Sequence, residues 1–260
     1  MRFRTWVQTA FLGVWMLPMG GALFNICGPV YHCYACPLAT FACPIGVIAN
    51  FSAIHVFPFF AVGMLLFVGG AVGAFICGWA CPFGFFQDLL SKVPTPRWRL
   101  PAWTAHTRWA VLLGMVIFVP YFFGVAHPLF ICRLCPVGGI EGGVPAVVSA
   151  AIAGEEALPW PSPWKIGIVV LVVSAMFFTY RPWCMLFCPL GAIFTAFNRF
   201  SAFFLRFEPK ACTSCTACHK MCPAGLTPDK RANDPRCIRC LECTKCPTSA
   251  LSVGSVFRKA

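Results

Sequence analysis

Eight of the eighteen cysteines in this 260-residue chain fall within its last fifty residues, in two closely spaced runs. The run from Cys212 to Cys222 has the spacing C-x2-C-x2-C-x3-C-P, and the run from Cys237 to Cys246 has C-x2-C-x2-C-x2-C-P. The first spacing is typical of bacterial ferredoxins, in which three cysteines of a run bind one [4Fe–4S] cluster and the fourth binds the other. The two runs therefore predict a small α+β domain with two such clusters.

Because the fourth cysteine of each run binds the cluster of the other run, the sequence predicts two ligand sets. The first is Cys212, Cys215, Cys218 and Cys246, and the second is Cys237, Cys240, Cys243 and Cys222. The second run is one residue shorter before Cys246, so the chain there must take a tighter path or another ligand must substitute. The five residues from Cys215 to His219 also match the haem c attachment motif C-x-x-C-H. Haem attachment would use two cysteines of the eight-cysteine pattern, so the ferredoxin interpretation is favoured.

The composition of the remaining chain indicates a membrane protein. Hydrophobic residues make up 59% and charged residues 11%, whereas a soluble domain has roughly 25% charged residues. We predict an α-helical membrane protein with four transmembrane helices in two repeated halves and a C-terminal α+β double [4Fe–4S] ferredoxin domain. The membrane domain would cover residues 1–205 and the ferredoxin domain residues 206–260. The predicted spans, each near the roughly 20 residues that a bilayer requires, are residues 5–26, 53–76, 107–125 and 164–180.

The distribution of the basic residues predicts an orientation. With four spans both termini lie on one side, together with eighteen of the twenty lysines and arginines. The positive-inside rule then predicts a multi-pass protein of the cell inner membrane with both termini in the cytoplasm. The net charge of +12 is explained by this arrangement and by anionic lipid headgroups, so we expect no nucleic-acid partner. Cysteines on the reducing side favour metal binding over disulfides.

Paired cysteines also repeat within the hydrophobic part. Each half contains a C-x2-C-P motif and then a C-x3-C-P motif, and the predicted topology places the two kinds at opposite ends of the spans. Four thiolates meeting between the halves would satisfy one [4Fe–4S] cluster. The predicted inner cluster has Cys77, Cys81, Cys184 and Cys188 as ligands, and the predicted outer cluster has Cys33, Cys36, Cys132 and Cys135.

Alternatives to these clusters stay open. The inner cysteines could be inert packing residues, and the outer cysteines could form disulfides on an oxidising face. Cys27 and Cys43 could form a disulfide, or could bind a cluster with Cys33 and Cys36 alone. A cluster that combines Cys33 and Cys36 with the first C-x3-C pair would need a loop that dips deeply, because a span is roughly 30 Å long.

With its C-x3-C-P motifs and ferredoxin runs, the chain resembles the membrane iron–sulfur quinol dehydrogenase family. Members of that family include the H subunit of the periplasmic nitrate reductase system and the polyferredoxin half of the nitrous-oxide reductase accessory protein. The resemblance implies that membrane quinol donates electrons, and that a partner redox subunit or a soluble electron carrier accepts them. The cysteine-rich segment from Cys33 to Gly46 is an addition to the simplest members and leaves the partner open.

A quinone site needs an apolar slot and a side chain that exchanges protons, for which histidine is well suited near neutral pH. The candidates are His55, His127 and Asp88, with His32 and Gln87 as further polar residues. We therefore expect a membrane electron-transfer protein that connects the quinone pool with a partner redox enzyme, as a quinol dehydrogenase subunit of a larger complex. The alternatives are an assembly or metal-handling factor for a copper or other redox enzyme, and a redox sensor.

Overall fold

The computed structural model describes residues 2–17, 21–154 and 158–256. The longer helices are α1 (Arg2–Met16), α2 (Pro44–Ala53), α3 (Phe59–Val72), α4 (Pro82–Leu90), α5 (Ala102–Phe123), α6 (Gly138–Ala153), α7 (Pro163–Phe178) and α8 (Pro189–Ala196). Short helical segments are Gly21–Phe24, Phe75–Trp79, Ile131–Leu134, Pro182–Leu186 and Phe197–Arg199. The C-terminal part contains β1 (Phe203–Phe207), α9 (Ala217–Met221), β2 (Leu251–Ser255) and single turns at Pro209–Ala211 and Glu242–Lys245.

The prediction of four transmembrane helices is wrong. Within the described residues, α5 is the one helix that is both long and apolar enough to cross a membrane. The helices α1, α3 and α7 contain 15, 14 and 16 residues, which is short of the roughly 20 that a span requires. A single span would put the two ends of the chain on opposite faces. The multi-pass topology with both termini in the cytoplasm is therefore not supported.

Backbone interruptions explain why hydropathy overestimated the spans. In the stretch 53–76, α2 ends at Ala53 and α3 begins only after Pro58. Gly73, with φ of 57°, then ends α3 in a conformation that other residues rarely adopt. The stretch 5–26 includes residues 18–20, which lie outside the described residues. An apolar run thus becomes two short helices wherever a proline or a left-handed glycine breaks it.

Four segments with the sequence Cys-Pro-x-Gly, called steps below, mark the starts of helices. Each cysteine has an extended backbone, and each proline opens a helical segment. The proline ring disfavours a helical conformation at the residue before it and suits the first helical turn itself. A glycine stands three residues after each of these cysteines, and the Gly191 N–H donates to Cys188 Sγ at 3.3 Å. The cysteine and glycine pairs are Cys43 and Gly46, Cys81 and Gly84, Cys135 and Gly138, and Cys188 and Gly191.

The main hydrophobic core surrounds these steps. Helix α2 contacts α3 and α5, α8 contacts α3 and α5, and α6 contacts α7. Large side chains such as Ile45, Phe83, Ile131 and Phe194 are almost completely buried in one cluster that also contains the four step cysteines. The packing of these helices therefore encloses the sulfur atoms in apolar surroundings.

The C-terminal part is a two-stranded antiparallel sheet with short helical turns, and it is held against the helices. Strand β1 pairs with β2 so that Phe203 faces Ser255. The predicted domain boundary between residues 205 and 206 falls inside β1. The buried Arg239 guanidinium donates to the carbonyl oxygens of Val72 at 3.0 Å and Asn198 at 2.6 Å. This arginine ties the second cysteine run to the ends of α3 and α8.

Candidate iron–sulfur centres

The four predicted inner cysteines border one cavity. Cys77 and Cys184 lie in the short helices Phe75–Trp79 and Pro182–Leu186, and Cys81 and Cys188 begin α4 and α8. Cys77 is partly buried and the other three are buried. The two C-x3-C-P motifs, more than one hundred residues apart in sequence, therefore meet in space. Their binding of a cluster stays a prediction.

Two hydrogen-bond donors contact the inner sulfur atoms, and one cation borders the inner cavity. Gln87 Nε2 donates to Cys184 Sγ at 2.9 Å, and the Gly191 N–H donates to Cys188 Sγ at 3.3 Å. Arg108 also borders the cavity and is 1% exposed. Its guanidinium donates to the Pro235 carbonyl at 3.0 Å, and no carboxylate of the described residues lies within 4.0 Å of it. A buried cation without a carboxylate partner requires another negative charge, which a cluster with four thiolate ligands would supply.

The spacing of the inner sulfur atoms argues against a single metal ion. Among the described residues, the one group with three ligand atoms all within 4.8 Å of one another is Cys218, His219 and Asp229. No three inner sulfurs are that close, whereas zinc with Zn–S bonds of about 2.3 Å holds tetrahedral sulfurs about 3.8 Å apart. All eighteen cysteines are free thiols. The wider arrangement therefore fits a polynuclear iron–sulfur cluster.

The two ferredoxin runs have the same backbone conformation. Positive φ angles occur at Ser214 and Thr216 in the first run, and at the corresponding Arg239 and Leu241 in the second. They occur again three residues after each final cysteine, at Gly225 and Ser249. Left-handed backbone is costly for residues other than glycine and is typical of functional sites. The shorter spacing before Cys246 thus leaves the repeated pattern intact.

Backbone amides in both runs point at sulfur. The Ser214 N–H donates to Cys212 Sγ at 3.4 Å, and the Arg239 N–H donates to Cys237 Sγ at the same distance. Such N–H···S bonds stabilise the thiolate form that iron requires. The left-handed residues therefore have a local purpose, because they turn these amides toward the cysteines.

The predicted exchange of cysteines between runs agrees with their positions. Cys222, from the first run, lies close enough to Cys237, Cys240 and Cys243 to act on their ionisation. Cys246 packs against the small core that contains Cys218. Cys222 is thus near the other run, as two crossed clusters require. Cluster binding itself stays a prediction here too.

The second ferredoxin run touches the inner cavity. Ile238, the residue after Cys237, borders that cavity together with the inner cysteines. A Cβ atom at Gly78 would lie only 2.5 Å from the Ile238 carbonyl oxygen, so the two loops are in direct contact. Trp79 Nε1 adds a hydrogen bond of 3.1 Å to the Arg239 carbonyl. Groups bound at these two places would be close neighbours.

A second cavity, called the outer cavity below, is bordered by three of the four cysteines that were predicted to bind the outer cluster. Cys33, Cys132 and Cys135 border it as expected, but the fourth cysteine is Cys43 and not Cys36. Cys36 is buried beside His32, away from the cavity wall. Cys27 borders neither described cavity of cysteines, and it forms no disulfide with Cys43.

The three candidate quinone residues fall in two different surroundings. His55 is exposed, and its Nε2 lies 3.1 Å from the Tyr121 carbonyl oxygen. The His127 ring lies 5.0 Å from the Phe123 ring, so both histidines neighbour the last turn of α5. The third candidate, Asp88, is on α4 and contacts other residues.

Asp88 is occupied by a network of charged and polar side chains. It accepts hydrogen bonds from Arg181 at 2.6 and 2.8 Å, from Gln8 at 3.0 Å and from Tyr180 at 3.0 Å, and it contacts Arg4. Burial raises the pKa of Asp88, but the two guanidinium groups outweigh burial and lower the pKa below its usual value. A carboxylate held in its ionised form is poorly suited to exchange protons near neutral pH. The geometry indicates a structural role for Asp88.

Comparison with known proteins supports iron–sulfur chemistry. A model of the family described as 4Fe-4S binding domain matches residues 54–101 and 162–208. One matched segment contains Cys77 and Cys81, and the other contains Cys184 and Cys188. The two segments of 4Fe-4S binding domain are thus the ones that meet at the inner cavity. No solved structure matches the chain.

Relatives among curated proteins include uncharacterized protein MJ0750 of Methanocaldococcus jannaschii, 27% identical over 65% of this chain and 66% of its own length. Regulatory protein NosR of Stutzerimonas stutzeri is 26% identical over 69% of this chain and 23% of its own length. Protein NirI of Paracoccus denitrificans is 26% identical over 67% of this chain and 24% of its own length. The chain thus spans just under two thirds of the first relative and about a quarter of the other two.

Proposed function

We propose that this chain is an electron-transfer protein that passes electrons between the membrane quinone pool and a partner redox enzyme through [4Fe–4S] clusters. The proposal depends most on the two segments that match the 4Fe-4S binding domain, because they bring four cysteines to one cavity beside the second ferredoxin run. These cysteines are Cys77, Cys81, Cys184 and Cys188. When bound, a [4Fe–4S] cluster supplies a one-electron carrier. The protein contributes sulfur ligands, N–H donors to sulfur, and the buried Arg108 charge.

The order of the cysteine sets suggests a path. Ile238 borders the inner cavity and is adjacent to Cys237, so the inner set and the second ferredoxin set are neighbours. Cys222 connects that set in turn with the first ferredoxin run. Because electron tunnelling falls steeply with distance, contiguous sets are what a relay requires. We propose that electrons pass in short steps between the inner set and the ferredoxin sets.

Association with a membrane is part of the proposal and rests on surface composition. Helix α5 is long and apolar enough to cross a bilayer. Its Leu113, Phe118 and Phe122 side chains are exposed, as are Phe59 and Phe67 on α3. Exposed apolar side chains of this kind favour contact with lipid or with a partner protein. The quinone would approach the apolar end of α5, where His55 and His127 are the candidates for proton exchange.

The test is reduction of the anaerobically purified protein by a quinol, followed by EPR of the ferredoxin clusters. We expect reduction in the native protein and at least tenfold slower reduction in Cys188→Ser, which removes one inner ligand. The matched control is Cys27→Ser, which alters a buried cysteine outside both cavities and should leave the rate unchanged. Equal rates in all three proteins would remove the inner cavity from the path.

A second candidate, an assembly or metal-handling factor, is favoured by one observation. Cys218, His219 and Asp229 have ligand atoms within 4.8 Å of one another, as a single ion requires. The same cysteine belongs to the first ferredoxin run, so the two uses compete. Titration with copper after cluster assembly separates them: electron transfer predicts no stoichiometric copper binding, whereas metal handling predicts binding that is lost in His219→Gln.

A further inference from the structure

The outer cavity is built from three separate parts of the chain. Cys33 comes from the loop before α2, Cys43 immediately precedes α2, and Cys132 and Cys135 both lie shortly before α6. The two segments that match the 4Fe-4S binding domain include none of these four residues. The cavity is therefore a separate place in the fold with its own set of sulfur atoms.

Two of its cysteines have the same local structure as ligands of the inner cavity. Cys43 has φ and ψ of −71° and 123°, and Cys135 has −69° and 117°. The corresponding values are −74° and 120° for Cys81, and −67° and 111° for Cys188. In all four, a proline follows and a glycine stands three residues after the cysteine. Each cavity thus has two Cys-Pro-x-Gly steps and two further cysteines.

Cys36 lacks the features of these steps. It is also followed by proline, but Ala39 occupies the position of the glycine, and no helix begins there. The Cys36 N–H donates to the Cys33 carbonyl at 3.1 Å and the Ala39 N–H to the Cys36 carbonyl at 3.0 Å, as in a tight turn. This turn leaves Cys36 off the wall of the cavity.

The space around the outer sulfurs and one nearby lysine are compatible with a cluster. A Cβ atom at Gly142 would lie 2.9 Å from Cys33 Sγ, so only glycine leaves that sulfur in place. Lys165 borders the cavity, and its Nζ donates to the Cys132 carbonyl at 3.1 Å. No carboxylate of the described residues lies within 4.0 Å of Lys165. As in the inner cavity, no three of the sulfurs lie within 4.8 Å of one another, which is too wide for one ion.

We propose that Cys33, Cys43, Cys132 and Cys135 bind an additional [4Fe–4S] cluster. The proposal extends the relay of the proposed function and rests on it for its use, although the ligand set stands on the geometry of the outer cavity. Tyr31 connects the two places because it borders both cavities. Its hydroxyl lies 3.3 Å from Cys135 Sγ, and its carbonyl oxygen lies 3.9 Å from Cys81 Sγ. An outer cluster would therefore be separated from the inner cavity by the single residue Tyr31.

The test compares Cys43→Ser with Cys36→Ser in the full chain, purified without oxygen. The native protein should contain about sixteen irons and sixteen sulfides, four of each per cluster. Cys43→Ser should lose up to about four irons, or one iron if a three-iron cluster remains, whereas Cys36→Ser should lose none. Unchanged ferredoxin EPR signals would show that each variant is folded, and Cys132→Ser provides a second variant of the same set.

The outcomes separate this proposal from the proposed function. Loss of iron in Cys36→Ser with retention in Cys43→Ser would overturn the ligand set. Retention of iron in both Cys43→Ser and Cys132→Ser, or disulfide-bonded outer cysteines in the native protein, would overturn the outer cluster. In either case Cys188→Ser should still lose up to about four irons if the proposed function is right. If Cys188→Ser also loses none, both proposals fail.

Discussion

The Tyr31 hydroxyl lies 3.3 Å from the sulfur of Cys135, at the place where the two cysteine-lined cavities adjoin. With a free thiol, Cys135 donates to the phenol oxygen. With a metal-bound thiolate, the phenol O–H would donate to sulfur instead. Hydrogen bonds to cluster sulfurs are among the features that set reduction potential. This contact therefore links a residue between the cavities to the redox behaviour of the outer one.

Replacement Tyr31→Phe should lower the reduction potential of the proposed outer cluster without loss of iron. The phenol stabilises the more negative, reduced state, and a hydrogen bond to a charged group is worth about 1.5 kcal/mol. That energy sets an upper limit of about 60 mV on the shift for one electron, because the bond is also present, though weaker, in the oxidised state. The measurement is a redox titration followed by EPR.

The control for this shift is Tyr34→Phe. Tyr34 also borders the outer cavity, but among the described residues no cysteine is hydrogen-bonded to its hydroxyl. Tyr34→Phe should change the reduction potential by less than about 15 mV, a quarter of the value given for Tyr31→Phe. Equal shifts in the two variants would mean that general polarity, and not the bond to Cys135, is responsible.

Replacement Gly78→Ala should loosen the contact between the inner loop and the second ferredoxin run. The added Cβ would lie 2.5 Å from the Ile238 carbonyl oxygen, and overpacking of this kind costs about 1–3 kcal/mol. Thermal unfolding should begin at a lower temperature, and electron transfer into the ferredoxin clusters should slow. Gly70→Ala is the control because nothing lies within 4 Å of its added Cβ. Equal unfolding temperatures and equal electron-transfer rates in the two variants would disprove the direct contact.

Replacement Asp88→Asn should destabilise the fold by about 3–5 kcal/mol, because it leaves the fully buried Arg181 without its carboxylate partner. The exposed pair of Arg206 and Glu208 provides a control, and Glu208→Gln should cost under about 1 kcal/mol. Chemical denaturation at neutral pH measures both values. A cost for Asp88→Asn as small as the control's would show that water reaches the network.

The same network predicts the direction of acid sensitivity. The pKa of Asp88 lies below its ordinary value of 3.8 in the folded protein, so the unfolded chain takes up the proton first as pH falls. The stabilisation by this carboxylate is complete above that value and is lost as pH falls through the lower, folded pKa. The difference in stability between the native protein and Asp88→Asn should therefore be constant near neutral pH and shrink below about pH 4. A difference that grows on acidification would contradict this sign.

Replacement Ser249→Gly should stabilise the ferredoxin part by about 0.5–1 kcal/mol. Ser249 has φ of 55°, and its counterpart in the first run is already a glycine, Gly225. Relief of left-handed strain exceeds the entropic cost of glycine at such a position. Ser252→Gly, at an exposed position of β2, should instead destabilise by a similar amount. Urea denaturation followed by cluster absorbance should show opposite signs, and a common sign would contradict the strain at Ser249.

Local spacing was sufficient to predict which cysteines the fold brings together at the inner cavity. The repeated C-x3-C-P motifs predicted that Cys77, Cys81, Cys184 and Cys188 share a site, and the fold places them at one cavity. The outer set needed one more signal, the glycine three residues after the cysteine. Gly46 follows Cys43 in this way, whereas Ala39 follows Cys36.

Other features depended on tertiary structure. The apolar stretch 53–76 looked like one span, but Pro58 and Gly73 divide it, and this division accounts for part of the overestimated span count. Arg108 gave no local signal of its place at the inner cavity, because its neighbours there are distant in sequence. Gln87 was considered for a quinone site, yet it donates to Cys184. Long-range contacts of this kind cannot be read from periodicity or spacing.

Mössbauer spectroscopy of the native protein, purified anaerobically with isotopically enriched iron, is the most direct test of the clusters. We predict about sixteen irons per chain, all in [4Fe–4S] environments, at four per cluster. About twelve would retain the inner site and remove the outer one. About eight, with unchanged iron content in Cys188→Ser, would confine the clusters to the ferredoxin part and contradict a cluster at the inner cavity.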